Sequence, residues 1–200
     1  MYINKNKSYL KGNDLMGNFN FIETNIEGLY VIESKLYIDA RGYFQELYKK
    51  DDFYKAGLDM QFVQENESKS KKGVLRGLHF QTKNSQGKLA RVVKGTVFDV
   101  AVDLRKGSKT FGKWEAVILS DENKKQFYIP EGFAHGFLVL SDEAIFNYKC
   151  TNVYSPEYES GIIWNDRDLD IKWPLDKVNE LIISDKDKKL QSFQSYGKSL

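Results

Sequence analysis

Thr96-Val-Phe-Asp-Val-Ala-Val-Asp103 decides the class of fold. It is β-branched and aromatic, bounded by Lys94-Gly95 before it and by Lys106-Gly107-Ser108 after it, so it reads as a strand. Alternation puts Phe98, Val100 and Val102 on one face and Val97, Asp99, Ala101 and Asp103 on the other. One face is core and the other carries two carboxylates. In a barrel that second face points either into a wet lumen or to bulk solvent. Asp99, in mid-strand, is open to both readings, and Asp103, at the strand end, is expected in solvent.

The neighbouring sequence repeats this pattern. Leu89–Lys94, Trp114–Leu119, Gln126–Ile129, Gly136–Leu140 and Ile145–Cys150 are short runs rich in Val, Ile, Phe and Tyr, parted by turn signals such as Gln86-Gly87 and Asp121-Glu122-Asn123. From Phe62 to Trp164 the pattern is β throughout, which predicts a sandwich, jelly roll or barrel. Upstream, Gly28–Glu33 and Tyr43–Tyr48 read as strands around the turn Asp39-Ala-Arg-Gly42. Asp51 or Asp52 is placed to cap a short helix that Gly57 ends. The tail around Ser184-Asp-Lys-Asp187 reads as a short helix.

Two hundred residues suffice for one domain with a sizeable core. We divide the chain into an N-terminal extension, 1–17, and a single domain, 18–200. Lys plus Arg number 30 and Asp plus Glu 28, so the charge balance argues neither for nor against nucleic acid, and any anion site must be local. The single cysteine, Cys150, rules out an internal disulfide and a cysteine-rich zinc site, and fits a reducing compartment. No apolar run approaches the roughly 20 residues that span a bilayer. Met1 to Gly17 is polar and basic without the apolar centre of a signal peptide. The expectation is a cytoplasmic protein with no membrane and no nucleic-acid partner.

Gly73-Val-Leu-Arg-Gly-Leu-His-Phe-Gln81 holds an arginine and one of only two histidines inside an apolar strand. Arg76 suits an anion such as a phosphate, and His79 exchanges protons near neutral pH. Strict alternation would put them on opposite faces. A shared site therefore predicts a bulge or twist near Gly77, where the missing Cβ makes distortion cheap. Read alone, Arg76 serves equally as a rim ion-pair partner and His79 as a hydrogen-bonded core histidine.

Pro130-Glu-Gly-Phe-Ala-His135 resembles the second half of the cupin signature, Pro-x-Gly-x-x-His. Metal-binding cupins add a His-x-His pair and a glutamate, whereas this chain offers His79-Phe80-Gln81, and Val139 stands where the signature has Asn. Two histidines without a partner cluster make a poor first-row metal site, so the resemblance supports the jelly roll and no metal. His135 alternatively reads as a turn histidine bonded to backbone.

Longer stretches resemble the dTDP-4-dehydrorhamnose 3,5-epimerase family. They are Asp39-Ala-Arg-Gly-Tyr-Phe-Gln-Glu46, Phe62-Val-Gln-Glu-Asn66, Gly73–Gln81, Gln86-Gly-Lys-Leu89, Val97–Asp103, Phe111-Gly-Lys-Trp114, Ile129–Leu140 and Tyr148-Lys149, covering about Asn20 to Leu190. The resemblance implies an all-β, cupin-type double-stranded jelly-roll barrel with a few short helices. It also implies a homodimer that exchanges an N-terminal strand, a dTDP-4-keto-6-deoxy sugar as substrate, and no cofactor. Protons at C3 and C5 of such a sugar are acidic through the C4 ketone. Inversion needs a base, an acid on the other face and a group that stabilises the enolate oxygen.

By the same resemblance His79 is the base, Tyr148 the acid, Lys88 the oxyanion partner and Asp187 the carboxylate that orients His79. Arg41, Glu46, Gln64, Asn66, Arg76, Glu159 and Lys186 fall on nucleotide or diphosphate positions, and His135 on a substrate-binding one. Tyr43 or Phe44 is a candidate to stack on the thymine. Each catalytic position has a plainer reading: Tyr148 as barrel packing, Lys88 as a solvated turn lysine, and Asp187 as the end of a capping box opened by Ser184.

Overall fold

The computed structural model describes residues 16–198. The 1–17 extension therefore lies almost wholly outside the described residues. In chain order the strands are β1 (Phe19–Glu23), β2 (Tyr30–Ser34), β3 (Leu36–Asp39), β4 (Gly42–Gln45), β5 (Gln64–Lys71), β6 (Leu75–Gln81) and β7 (Lys88–Lys94). They continue with β8 (Thr96–Asp103), β9 (Trp114–Ser120), β10 (Gln126–Ile129), β11 (Phe133–Val139), β12 (Glu143–Cys150) and β13 (Glu159–Gly161). The helices are short, α1 (Lys50–Lys55) and α2 (Phe193–Lys198), with single 3-10 turns at Pro156–Tyr158, Leu175–Lys177 and Asp187–Lys189. Lys49 precedes α1 with no side-chain cap, so Asp51 and Asp52 sit in its first turn rather than capping it; Ser184–Lys189 is a turn rather than a regular helix.

Two antiparallel sheets face each other. The larger runs β1-β2-β10-β7-β12-β5 and the smaller β13-β6-β11-β8-β9; β3 and β4 form a separate hairpin. Between the sheets pack Leu29, Ala90, Val97, Ala101, Phe127, Phe133, Phe137 and Phe146. A second apolar layer lies on the other face of the smaller sheet, where Leu169, Trp173, Leu181 and Ile183 cover Leu75, Leu78, Val100 and Val102. Both faces of β8 are therefore buried. Asp99 and Asp103 are each 0% exposed, which settles Asp99 to the barrel interior and corrects the expectation for Asp103. Asp103 stays charged inside because Arg105 grips both of its oxygens and Ser108 and Thr110 donate to Oδ2. These bonds outweigh burial and hold its pKa at about 2.

The covering segment returns to β6. Ile182 bridges Val74 in parallel, and Leu75 N–H donates to the Ile182 carbonyl at 2.9 Å. That contact delivers the Asp187 turn to the strand carrying His79. The expected distortion is present in β6. His135 pairs with His79 and Phe137 with Arg76, so β6 carries one more residue than β11 over this interval. Leu75 and Leu78, three apart, share the outer layer. Gly77 has φ +113°, and a Cβ on it would lie 2.5 Å from Gly136 Cα, so only glycine fits. The phase of the strand therefore changes between Leu75 and Leu78.

Candidate active site

A cleft of about 90 Å³ opens at the mouth of the barrel, lined by His79, Gln81, Lys88, Tyr148, Tyr154 and Glu159 among others. His79 reaches it from the smaller sheet and Tyr148 from the larger. His79 is partly exposed and its Nε2 lies 2.8 Å from Asp187 Oδ1. Asp187 Oδ2 accepts the Gly77 N–H at 3.2 Å. The Asp187 backbone N–H donates to Ser184 Oγ at 3.0 Å, so Ser184 closes the turn and the Asp187 side chain is turned to the histidine. Burial pushes the Asp187 carboxyl up, but the bond to His79, with help from Gly77 and Ser184, holds it below the usual carboxylate range.

Tyr148 pairs with Asn66 across β5 and with Ala90 across β7. Burial, and next Cys150, push its phenol up; the Asn66 hydrogen bond and the Arg76 charge oppose them without reversing the shift. It is a protonated donor at neutral pH. Lys88 opens β7 with its Nζ 5.9 Å from the Tyr148 ring centroid. Burial pushes this ammonium down, opposed by Cys150, Asp99 and Glu159.

The rim is continuous. Gln64 donates to Asn66 Oδ1 at 2.9 Å and accepts from the Tyr154 N–H at 2.7 Å. The Tyr154 hydroxyl donates to Glu159, and Lys186 pairs with Glu159 at 2.5 Å. Burial pushes the Glu159 carboxyl up, yet Lys186 and Tyr154 bring it below its ordinary value. Arg76 is not among the residues lining the cleft; it is exposed and bonded to Ser70 Oγ through Nε and Nη2 at 3.2 and 3.1 Å.

His135 is no turn histidine. It sits within β11, is 7% exposed, and its Nε2 lies 2.6 Å from Asp99 Oδ1. Burial pushes its pKa down more strongly than Asp99 raises it. Arg41 and Glu46 are not brought to the cleft. Arg41, at the β3–β4 turn, is 91% exposed and paired with Asp39 at 2.6 Å, and Glu46 accepts from the Asn18 amide at 3.0 Å. Tyr43 and Phe44 lie exposed on that hairpin. Tyr154 also lines the cleft, beside Phe80, Phe133 and Tyr148; sequence reasoning missed it because Val153-Tyr154-Ser155-Pro156 has no strand or helix period. Among the described residues, no group of three or more His, Cys, Asp or Glu side chains is arranged to hold a metal ion, and no helix is long and apolar enough to cross a membrane.

Fold and site together define a cupin-type jelly roll whose mouth carries acid–base side chains on facing sheets. The profile of the family described as dTDP-4-dehydrorhamnose 3,5-epimerase matches residues 23–195, and the chain belongs to that family. A dTDP-4-dehydrorhamnose 3,5-epimerase from Methanothermobacter thermautotrophicus is 59% identical over 173 residues, 86% of this chain and 94% of that protein. A crystal structure of the Legionella pneumophila dTDP-6-deoxy-D-glucose-3,5-epimerase, in complex with dTDP-4-keto-L-rhamnose, is 51% identical with a TM-score of 0.85, covering 88% of this chain and 93% of that one. A 3'-monoepimerase from Streptomyces bikiniensis in complex with dTDP-quinovose is 34% identical with a TM-score of 0.82, covering 89% and 90%.

Proposed function

We propose that this protein inverts C3 and C5 of dTDP-4-dehydro-6-deoxy-D-glucose to give dTDP-4-dehydro-L-rhamnose, by proton transfer through an enolate. The observation that carries the reading is the pair His79 and Tyr148, presented to one cleft from opposite sheets. A base and an acid so disposed address the two faces of one ring. His79, held by Asp187, removes the proton; Tyr148 supplies one to the opposite face. Lys88 stabilises the enolate oxygen at C4. The ketone itself makes both carbons acidic, so the chemistry calls for neither a redox cofactor nor a metal.

Arg76, Gln64, Asn66, Glu159 and Lys186 receive the nucleotide diphosphate along the rim, and Tyr154 offers its ring to the thymine. Arg41 and Glu46 act from a second copy of the chain. Their hairpin exposes Tyr37, Ile38, Tyr43 and Phe44, with Ile38 at 77%, a surface that a homodimer exchanging its N-terminal region would cover. The enzyme works in the cytoplasm, without nucleic acid or membrane.

The test is solvent deuterium exchange into dTDP-4-keto-6-deoxyglucose followed by NMR. Label at C3 and C5 is the expected result. Label at one carbon would make the protein a mono-epimerase, like the 34% identical Streptomyces bikiniensis relative. No label would make it a non-catalytic binding protein. Light scattering checks the dimer, and a monomer at working concentration would remove Arg41 and Glu46 from the site.

A further inference from the structure

Gln81 borders the cleft but commits its amide to backbone. It is the last residue of β6 and is 6% exposed. Its Nε2 donates to the Asn84 carbonyl at 2.7 Å and to the Val153 carbonyl at 3.3 Å, and its Oε1 accepts the Ser155 N–H at 2.8 Å. Both amide hydrogens are thereby used by main chain. The opposite rotation of the amide would set its NH₂ against the Ser155 N–H and its oxygen against two carbonyls, so the neighbours select this orientation. A buried amide engaged in this way is a clamp rather than a ligand.

What the clamp holds is Tyr154. Val153 and Ser155 flank it, so one side chain fixes the peptide on each side. The Tyr154 N–H itself donates to Gln64 Oε1 at 2.7 Å. The far end of the ring is anchored from the same place in the sheet: Glu159, the register partner of Gln81 across β13 and β6, accepts from the Tyr154 hydroxyl. That bond pushes the phenol pKa up. The remaining ties of this loop lie to either side. Gln86 Nε2 donates to the Asn152 carbonyl at 2.8 Å and Asn152 Nδ2 to the Ser85 carbonyl at 2.7 Å, while the Tyr158 N–H donates to the Ser155 carbonyl at 3.0 Å. None of these uses the side chain at position 81, so its loss would loosen the peptides around Tyr154 and leave the loop attached at both ends.

We propose that Gln81 is a positioning residue that acts through Tyr154: by holding the peptide on each side, it keeps the Tyr154 ring standing at the cleft, where a planar nucleobase can stack on it. The proposal rests on the functional reading above for the nucleobase, and not for the clamp itself. It makes nucleotide affinity depend on a side chain whose own amide is turned to backbone.

The experiment compares wild type, Gln81→Met, Tyr154→Ala and the double variant, with dTDP as the probe and calorimetric titration as the readout. Methionine keeps the length of the side chain and removes all three bonds. Tyr154→Ala should raise the Kd for dTDP roughly fivefold or more, the scale of one lost base–aromatic stack. Gln81→Met should raise it at least about threefold, with a larger change in KM than in kcat, and the double variant should bind no more weakly than Tyr154→Ala. Effects that multiply in the double variant overturn the proposal, as does wild-type affinity in either single variant. A second readout needs no ligand. With tyrosine labelled with carbon-13 at Cζ, and Tyr154→Phe to assign the signal, the Tyr154 phenol should titrate above about 10 in wild type and fall back toward that value in Gln81→Met. An unmoved midpoint overturns the clamp. Should Gln81→Met not fold, Gln81→Glu, which keeps an acceptor for Ser155 and sets an oxygen against the two carbonyls, should give the same fall. A wild-type protein that binds no dTDP sinks the functional reading, while the Tyr154 midpoint still decides the clamp.

Discussion

Asp187→Asn is the sharpest test of the His79 assignment, because the geometry fixes both what is lost and what is kept. The wild-type carboxylate accepts from His79 at 2.8 Å and from the Gly77 N–H at 3.2 Å, with its side chain 5% exposed. Gly77 needs an oxygen, so the asparagine carbonyl takes that place and its NH₂ faces His79 Nε2. Two losses follow. The first is a charge-assisted hydrogen bond, worth about 1.5–3 kcal/mol, or roughly 10- to 150-fold in rate if fully expressed in the transition state. The second is the tautomer: Nε2 must now accept, so the proton sits on Nδ1, the ring nitrogen left to serve as base. Together they should lower kcat by at least about a hundredfold, with little change in KM. The backbone bond to Ser184 is untouched, so the turn is kept and the melting temperature should fall only by the contribution of the lost carboxylate charge. Deuterium exchange at C3 and C5, kcat and thermal melting read the three quantities. The pH sign can be worked as well. Asp187 has a lowered folded pKa, so its stabilising effect is present above the ordinary carboxylate range and lost only as pH falls through the depressed value. The wild-type/variant stability difference should therefore stay flat from neutral pH down to that range. Near-normal turnover together with a drop in melting temperature would refute the reasoning and leave Asp187 a structural residue of the turn.

Tyr148→Phe removes the donor and little volume. Exchange by His79 should survive, whereas net inversion falls by roughly a hundredfold or more, and inversion at the normal rate would return Tyr148 to barrel packing. Asp103→Asn removes a carboxylate whose pKa drops from 3.8 to about 2. The variant should lose roughly 2 kcal/mol at pH 7, and wild type should show this contribution above about pH 4 and lose it as pH falls through about 2; identical acid unfolding curves would contradict it. Prolonged treatment with a strong chelator should leave activity intact, and a loss restored by a divalent ion would overturn the cofactor-free reading.

Much of the barrel was legible because its strands alternate and its turns are punctuated. The distortion at Gly77 was legible too, since Arg76 and His79 could share a site only if the strand changed phase. Strand β5 falls inside the stretch read as β from Phe62 to Trp164, but Gln64-Glu-Asn-Glu-Ser-Lys-Ser-Lys71 has no apolar face to mark its own ends. Its more buried residues, Gln64, Asn66, Ser68 and Ser70, are all polar. Asp103 misled because alternation does not register that Arg105, Ser108 and Thr110 loop back onto it. Burial of both β8 faces depends on the segment after Ile162, and a covering segment leaves no period in the strand it covers. Asp187 lies 108 residues from His79, so motif order could nominate the pair but only the fold could join them.

The two histidine–carboxylate pairs show how one chemical motif acquires two uses. His135 and His79 are register partners across β11 and β6, so the barrel sets them side by side. Asp187 directs both oxygens at the strand bearing His79, one to the ring and one to the Gly77 N–H, and that ring opens on the cleft. Its charge acts on the histidine. Asp99 meets a histidine held neutral by burial and gives it one oxygen, and its other oxygen stays open within the barrel. The difference follows from burial: the ring of His79 is partly exposed at the cleft, whereas His135 is 7% exposed, and its burial disfavours the charged form even beside a carboxylate.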